Sequence, residues 1–451
     1  MRFLATPAHT PHRFACGLRP YLTVGLSPRE ARPSRGEWTS KACAFKGFSN
    51  SPGRAEPDEN FHKETAAMID PFRMCAVPRV RFGRGEAASI GDEAKSLDMT
   101  RPMLLTDPGL SGAGVLGPVT DGLDAAGVQY RLYEDVEPNP SDPSITRAQA
   151  FYEANDCGGI IAVGGGSAID TAKAMGALLA NGGKISDYYG ADTVEKSIPP
   201  FITVPTTAGT GSEVTRASII TDIERGTKSS IHSDALYADV AVVDSSLLAT
   251  LPKFFAAGAL MDALTHTVES LGSPRANPWT QALCFQSIGL IGQNARRFVA
   301  DPADPSAADP LALAACLAGA SFTNTGLGIV HGLTHPVFNF FGGHHGTTNG
   351  ILLAPVMRFN LPAMRDTYAR LAPLLANPEE GADETQDAEL SIERVRALAD
   401  DIEVPESLAA IGAEMEYLDR MAHEAAASTT VATNPVPADA EDMKRIYLEL
   451  M

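Results

Sequence analysis

The sequence has few cysteines, and no two of them form a CxxC pair. Six are spread over 451 residues, at Cys16, Cys43, Cys75, Cys157, Cys284 and Cys316. This scatter indicates neither a disulfide framework nor a thiolate zinc site, so a reducing compartment is expected. The chain also lacks any apolar run close to the roughly 18 residues needed to cross a bilayer. We therefore expect a soluble, cytoplasmic protein without a membrane partner.

Basic residues are also in the minority. The chain has 36 Lys and Arg against 55 Asp and Glu, which gives a net charge of -19. Because such a surface repels polyanions, nucleic acids and anionic membrane surfaces are not expected as partners. A chain of 451 residues is too long for one ordinary hydrophobic core, so two domains are predicted.

Residues 1–71 differ in composition from the rest of the chain. They are rich in Arg, Ser and Pro, and before residue 56 the only acids are Glu30 and Glu37. This composition resembles a transit peptide, which would direct the protein to mitochondria instead of the cytoplasm. It equally suits a disordered tail, or upstream sequence included by a mistaken start, since Met68 and Met74 follow. We treat the segment as a disordered or targeting extension.

From about residue 78 the chain alternates short apolar runs with stretches of helical spacing. The pattern predicts strands at 103–106, 129–133 and 159–163, with helices at 115–126 and 145–155. Strands that alternate with helices indicate a parallel sheet covered on both faces. A ligand of such a sheet is expected at the carboxyl ends of its strands.

A glycine-rich turn stands at one of these strand ends. Gly164, Gly165, Gly166 and Ser167 follow the apolar run IIAV and precede a predicted helix. Glycines let the backbone approach a pyrophosphate, and the helix N-terminus offers free N–H groups, so a phosphate site is predicted. The stretch is not a GxGxxG fingerprint. In the alternative interpretation, Ser167 and Asp170 form a capping box that only starts the helix.

Two further strand ends carry polar residues. Asp107 follows the strand at 103–106, where a carboxylate can accept ribose hydroxyls and would repel a 2'-phosphate, which favours NAD over NADP. It can instead simply open a turn before Pro-Gly. After the run FITVP, Thr206, Thr207 and Thr210 lie in a Gly- and Thr-rich loop suited to phosphates and ribose, although Gly and Thr also suit an ordinary turn.

The second half of the chain carries a candidate metal site. Asp262 and His266 have the i, i+4 spacing that places both on one face of a helix, and His331 and His345 follow. Three imidazoles and a carboxylate suit Fe(II) or Zn(II) better than Ca(II) or Mg(II). Four protein ligands leave a position for substrate only when coordination expands, which favours iron over zinc.

Helical spacing continues over almost all of residues 253–451 and predicts an all-helical domain. Breaks are expected at 272–278, 301–310, 340–346 and 377–387. His331 and His335 repeat the i, i+4 spacing, but Pro336 is expected to bend or end the helix at His335.

Several motifs in order make the chain similar to the iron-containing (group III) alcohol dehydrogenases. They are GGGSAIDTAK at 164–173, PTTAGTGSEVT at 205–215, MDALTH at 261–266, GIVHGLTHP at 328–336 and HG at 345–346. The resemblance extends from about residue 75 to the C-terminus. It implies a dehydroquinate synthase-like fold, with an α/β Rossmann-like domain at 72–249 and an all-α metal-binding domain at 250–451.

The resemblance also implies roles for individual residues. It makes Asp262, His266, His331 and His345 the metal ligands, although His344 stands beside His345 and leaves two candidates for the last imidazole. His335 is implied to position substrate or relay protons. The implied dinucleotide contacts are Asp107, Asn139, Gly165, Gly166, Ser167, Thr206, Thr207, Thr210 and Lys228.

The implied activity is that of a metal-dependent alcohol dehydrogenase that uses NAD and Fe(II). Hydride would pass between a metal-bound alcohol, aldehyde or ketone and the nicotinamide, and hydroxyacids are further candidate substrates. A homodimer or larger homo-oligomer is implied as well. The alternative is a hydroxyacid-oxoacid transhydrogenase, which keeps its nicotinamide bound. A metal-dependent hydrolase of a phosphorylated substrate is a further alternative.

Overall fold

A computed structural model describes residues 69–75 and 77–451. Residues 1–68, which make up most of the expected disordered or targeting extension, lie outside the described part of the chain. Residues 70–451 form one compact unit.

Strands occupy the first half of this unit and form two sheets. A parallel sheet has the order β1-β9-β6-β4-β2-β3, and a smaller one has the order β5-β8-β7. The strands are β1 (Arg79–Phe82), β2 (Met103–Leu105), β3 (Arg131–Tyr133), β4 (Ile160–Gly164), β5 (Gly190–Ala191), β6 (Phe201–Pro205), β7 (Ala217–Asp222), β8 (Thr227–His232) and β9 (Val240–Val243).

Helices cover both faces of the parallel sheet. They are α1 (Ile90–Ser96), α2 (Pro108–Gly112), α3 (Gly117–Ala125), α4 (Asp142–Ala154) and α5 (Gly166–Asn181). In β4 the side chains alternate, as successive residues of a strand must. Ile160 and Ala162 join the core that contains α4 and α5, whereas Ile161 and Val163 join the core that contains α1 and α3. The predicted parallel sheet with two covered faces is confirmed.

Long helices make up the second half. They are α6 (Lys253–Gly272), α7 (Pro278–Ala300), α8 (Pro305–Thr325), α9 (Ile329–Phe341), α10 (His345–Ala369), α11 (Ala388–Asp401), α12 (Leu418–Ala426) and α13 (Ala440–Leu448). Their apolar faces bury a common core, which confirms the predicted helical half. Within the described ranges no single helix is long and apolar enough for a membrane span. Helices α8 and α9, which meet at a bend of 102°, together have the length and apolar composition of one.

One proline lies inside a helix that it is expected to bend or end. The helix does not end at His335, since α9 continues through Pro336 to Phe341; a bend at Pro336 stays a prediction. A proline inside a helix costs about 3 kcal/mol. Leu333 and Val337 on either side of it are completely buried, and each such side chain contributes about 1.5–3 kcal/mol. Burial of the surrounding turn therefore offsets the lost hydrogen bond, and His331 and His335 lie one turn apart on one helix.

Candidate functional site

The four residues predicted to bind a metal come together from three helices. Helix α6 supplies Asp262 and His266, α9 supplies His331, and α10 supplies His345 at its first position. Asp262 Oδ1 lies 3.4 Å from Nε2 of His266, 3.6 Å from Nε2 of His331 and 3.7 Å from Nε2 of His345. The first three residues are buried, and the fourth is partly exposed. The four side chains thus converge, and His345 is more exposed than the other three.

These distances fit a shared ion. Donors bound to one ion at about 2.1 Å in a tetrahedral arrangement lie about 3.4 Å apart. The carboxylate-to-imidazole distances are close to that value, and donor atoms of Asp262, His266 and His331 all lie within 4.8 Å of one another. The donor set, with three nitrogens and an oxygen, suits Fe(II) or Zn(II). Metal binding by these residues stays a prediction that the geometry favours.

The protonation of the cluster acts on metal binding in two directions. Burial would raise the pKa of Asp262, but the three surrounding imidazoles lower that pKa well below its usual range. Burial lowers the pKa of His266 to about 4, so this ring is neutral with a free lone pair. Burial also acts on His331, but the carboxylates of Glu269 and Asp262 outweigh it and raise its pKa to about 9. A metal entering the site must therefore displace a proton from His331.

The sequence did not predict two polar partners of this cluster. Glu269 Oε2 lies 2.6 Å from Nδ1 of His331. Asn349 donates its amide to Asp262 Oδ1 over 2.7 Å, and the same nitrogen lies 3.2 Å from Nε2 of His331 and 3.3 Å from Nε2 of His345. A metal among these atoms competes with the amide for their lone pairs. The only signal in the sequence was that Glu269 is seven residues after Asp262, on the same helical face.

The predicted phosphate loop, residues 164–167, lies beside the Gly- and Thr-rich stretch at 206–215, which we call the threonine loop. A Cβ added to Gly165 would lie 3.2 Å from Thr207 Cγ2, and a Cβ added to Gly166 would lie 3.0 Å from Thr210 Cγ2. Both stretches follow neighbouring parallel strands, β4 and β6, so they share the carboxyl edge of the sheet, with Thr206 first after β6. Glycine at these positions allows the two loops to approach. The two stretches form one candidate surface for a dinucleotide.

The alternative interpretation of Ser167 as a helix cap is wrong. Helix α5 already begins at Gly166, with Gly165 as its N-cap. The Ser167 hydroxyl donates to the carbonyl of Pro138 at 2.5 Å. Asp170 accepts from the Ser212 hydroxyl at 2.7 Å and from the Ile219 N–H at 3.1 Å. Both side chains make contacts far along the chain, which outweigh the local capping box.

Asp107 takes the turn-opening position that the sequence also allowed. Its carboxylate accepts hydrogen bonds from the N–H groups of Gly109 at 2.9 Å and Leu110 at 3.1 Å, and so caps α2. Because Asp107 follows β2, it lies at the same edge of the sheet as the two loops. Its role in binding ribose stays a prediction.

Asn139 and Lys228 contact each other. Lys228 Nζ donates to Asn139 Oδ1 over 2.9 Å and lies 4.6 Å from the centre of the Phe338 ring on α9. Burial lowers the pKa of Lys228 to about 8. His335 lies one turn before Phe338, and its ring centre is 5.8 Å from that of His345. These contacts connect the predicted cofactor residues to the helix that carries His331.

A buried lysine that the sequence did not single out holds the threonine loop. Lys173 on α5 is completely buried, and its Nζ donates to the carbonyls of Ser212 at 2.7 Å, Thr215 at 2.9 Å and Ala217 at 2.9 Å. Burial lowers the pKa of Lys173 to about 8, against the opposing charge of nearby carboxylates. Since it lies within the GGGSAIDTAK stretch, its position was visible, but its acceptors, some forty residues away, were not.

Comparison with known proteins links both halves to one family. The model for iron-containing alcohol dehydrogenase matches residues 78–245, and the model for the C-terminal part of Fe-containing alcohol dehydrogenases matches residues 256–451. The chain is 31% identical over 369 residues to the NAD-dependent methanol dehydrogenase of Bacillus methanolicus, which covers 82% of this chain and 97% of that protein.

Two further matches extend the comparison. Alcohol dehydrogenase 4 of Schizosaccharomyces pombe is 33% identical over 391 residues, which covers 86% of this chain and 92% of that protein. The crystal structure of a 1,3-propanediol oxidoreductase superposes with a TM-score of 0.80 at 32% identity, covering 85% of this chain and 100% of that one. The agreement in three dimensions confirms the predicted fold class.

Proposed function

Because the chain belongs to the iron-containing alcohol dehydrogenase family, we propose that it is a metal-dependent alcohol dehydrogenase that uses NAD. The observation that supports this most strongly is the convergence of Asp262, His266, His331 and His345. Fe(II) is the proposed ion, with Zn(II) as the second candidate, because the donor set suits both and iron expands its coordination more readily.

Each part of the site has a proposed task. Asp262 and the three imidazoles would hold the ion. When bound, the ion supplies a Lewis acid to the substrate oxygen, and the nicotinamide supplies the hydride acceptor. Gly165, Gly166 and Ser167 would bind the dinucleotide phosphates together with Thr206, Thr207 and Thr210. Asp107 at the same edge would accept ribose hydroxyls and disfavour NADP.

His335 and Lys228 are proposed to act at the reacting end. Burial, together with the charges of His331 and Lys228, lowers the pKa of His335 to about 4, so this imidazole is neutral near pH 7. A neutral ring can accept a hydrogen bond from a substrate hydroxyl and can take part in a proton relay. Lys228, with Asn139, would contact the nicotinamide end of the cofactor.

Small alcohols, aldehydes and hydroxyacids are the proposed substrates. The relatives fit this size class, since one is named for methanol and another for 1,3-propanediol. Phe338, on the same helix as His335 and with its ring 4.6 Å from Lys228 Nζ, is proposed to limit the size of the substrate. A homo-oligomer in the cytoplasm stays a prediction.

The proposal is tested by anaerobic oxidation of short alcohols and hydroxyacids. Protein freed of metal is reconstituted separately with Fe(II) and Zn(II) and assayed with NAD or NADP, with His266→Ala alongside. We expect NADH to form only with metal and to fall below detection in the variant. Hydride exchange that requires an added oxoacid, without net NADH, would indicate the transhydrogenase. Absence of both reactions would reject the proposed function.

A further inference from the structure

Glu269 continues the row of functional side chains on α6. It lies seven residues after Asp262 and three after His266, and these intervals place all three on one face of the helix. Its side chain is buried, with 6% of the residue exposed. Burial of a carboxylate costs free energy unless its oxygens accept hydrogen bonds, so the partners of Glu269 indicate its role.

Both oxygens of Glu269 are directed at α9. Oε2 lies 2.6 Å from Nδ1 of His331, and Oε1 accepts hydrogen bonds from the N–H groups of Val330 at 2.7 Å and His331 at 3.4 Å. Those N–H groups belong to the first turn of α9, where backbone donors have no helical partner. A Cβ on Gly328 would lie 2.9 Å from Oε1, so glycine there allows the approach.

This arrangement determines which nitrogen of His331 can bind a metal. Oε1 already accepts from two backbone N–H groups, and the 2.6 Å contact of Oε2 with Nδ1 of His331 is a hydrogen bond to a carboxylate oxygen when Nδ1 is the donor. Nε2, which lies 3.6 Å from Asp262 Oδ1, is then the nitrogen that faces the other proposed ligands. Carboxylate partners of metal-binding histidines commonly fix tautomer and ring orientation in this way.

We infer that Glu269 is a positioning residue that fixes His331 for metal binding and thereby sets the metal affinity of the site. The inference rests on the metal centre of the proposed function, but not on the identity of the substrate. Nothing in it requires Glu269 to touch substrate or cofactor.

Glutamine at this position gives a sharp test, because it keeps the shape but cannot accept on both sides. If its oxygen faces Val330 N–H, its NH₂ group faces Nδ1 of His331 and favours the tautomer with hydrogen on Nε2. If it turns over, the NH₂ group opposes the Val330 N–H. Either orientation leaves one unfavourable contact, whereas Glu269→Asp keeps both acceptors on a shorter side chain.

The experiment measures Zn(II) affinity of metal-free protein by competition with a chelating indicator. It compares wild type with Glu269→Gln, Glu269→Asp and the control Glu93→Gln. Glu93 is also buried, but it pairs with Arg79 and Arg81 on the sheet side of the molecule. Zinc X-ray absorption then counts the imidazoles bound, and thermal unfolding of the metal-free proteins reports folding.

We expect Glu269→Gln to bind Zn(II) about 10–100-fold more weakly than wild type and to lose one imidazole from the zinc spectrum. Glu269→Asp should lie between the two, and Glu93→Gln should match wild type. If Glu269→Gln fails to fold, the aspartate variant tests the inference, with weaker binding than wild type as the supporting result.

Two results would overturn the inference. One is Zn(II) binding by the folded Glu269→Gln protein within twofold of wild type with three imidazoles retained. The other is absence of Zn(II) binding by the wild type. The outcome is separate from that of the proposed function: selective loss of Zn(II) in the variant supports the role of Glu269 even if no alcohol is oxidised.

Discussion

Two adjacent histidines, His344 and His345, have different environments. His344 is the N-cap of α10, where its Nδ1 accepts a hydrogen bond from the Thr347 N–H at 3.3 Å. Its ring also packs against Phe254 and Phe255, with ring centres 5.5 and 5.3 Å away. His345 instead turns its Nε2 toward Asp262. The geometry therefore favours His345 as the fourth ligand, a choice that the sequence left open.

This assignment predicts opposite effects for two alanine variants. His345→Ala should weaken Zn(II) binding by more than about 100-fold, because loss of a ligand costs more than loss of an outer partner. His344→Ala should keep its zinc affinity and lose roughly 0.5–2 kcal/mol of stability through the missing cap. Zn(II) competition titration and thermal unfolding measure the two effects. Equal zinc affinities in both variants would contradict the assignment.

At this scale the sequence indicates single candidate residues but not their partners. The i, i+4 spacing proposes Asp262 and His266 as ligands, and His331 and His345 join them as imidazoles further along the chain, in agreement with the family resemblance. Glu269 reaches His331 across 62 positions, and Asn349 reaches Asp262 across 87. No local pattern encodes such pairs, since they depend on how the helices pack.

The metal site depends on how closely helix α6 packs against helix α10. The two helices meet at glycines: a Cβ on Gly346 would lie 2.1 Å from the Gly258 carbonyl oxygen and 3.1 Å from Asp262 Cβ. Because backbone atoms cannot yield as a flexible side chain does, this contact requires glycine. It sets how close His345, the neighbour of Gly346, comes to Asp262.

Gly346→Ala should therefore push α10 away from α6. We expect a loss of about 1–3 kcal/mol in stability from overpacking and weaker Zn(II) binding than in wild type. The matched control is Gly289→Ala on α7, where the nearest atom to an added Cβ is Leu374 Cδ2 at 3.6 Å. That variant should bind zinc normally and gain up to about 1 kcal/mol from helix propensity.

Zinc binding and thermal unfolding of both glycine variants provide the measurement. Wild-type zinc affinity in Gly346→Ala would show that the spacing of α6 and α10 does not control the site.

Element types were predictable because hydrophobic periodicity is a local property. The strands at 103–106, 129–133 and 159–163 agree with β2, β3 and β4 to within two residues. The exceptions depend on contacts beyond the element. Pro336 remains helical because its surroundings are buried, and Ser167 gives up a local cap for Pro138. Tertiary contacts offset local preference in both cases.

Across the whole molecule, the threonine loop connects the sheet to the helices. Lys173 holds it from α5. On the other side, a Cβ on Gly209 would lie 2.7 Å from the Ala259 carbonyl oxygen of α6, and a Cβ on Gly211 would lie 2.6 Å from Gly319 Cα of α8. The sequence predicted two halves with a boundary near residue 250. That division stays a prediction, and spacing alone could not reveal this loop contact.

The contact between the threonine loop and α8 predicts that a substitution there weakens cofactor binding without changing metal binding. A Cβ on Gly319 would lie 2.5 Å from the Gly211 carbonyl oxygen and 2.8 Å from Val214 Cγ2, so Gly319→Ala should displace the loop. An overpacking cost of about 1–3 kcal/mol, expressed in binding, corresponds to roughly 5- to 160-fold weaker NADH affinity. Zn(II) affinity should stay near wild type, because Gly319 belongs to α8, which contributes none of the four proposed ligands.

Fluorescence titration with NADH measures the first affinity, zinc competition measures the second, and Gly289→Ala is again the control. Unchanged NADH binding in folded Gly319→Ala would mean that the threonine loop is not part of the cofactor site. Parallel loss of NADH and zinc would mean instead that the loop transmits strain to α6 through Gly209 and Ala259, so that the two sites share one packing arrangement.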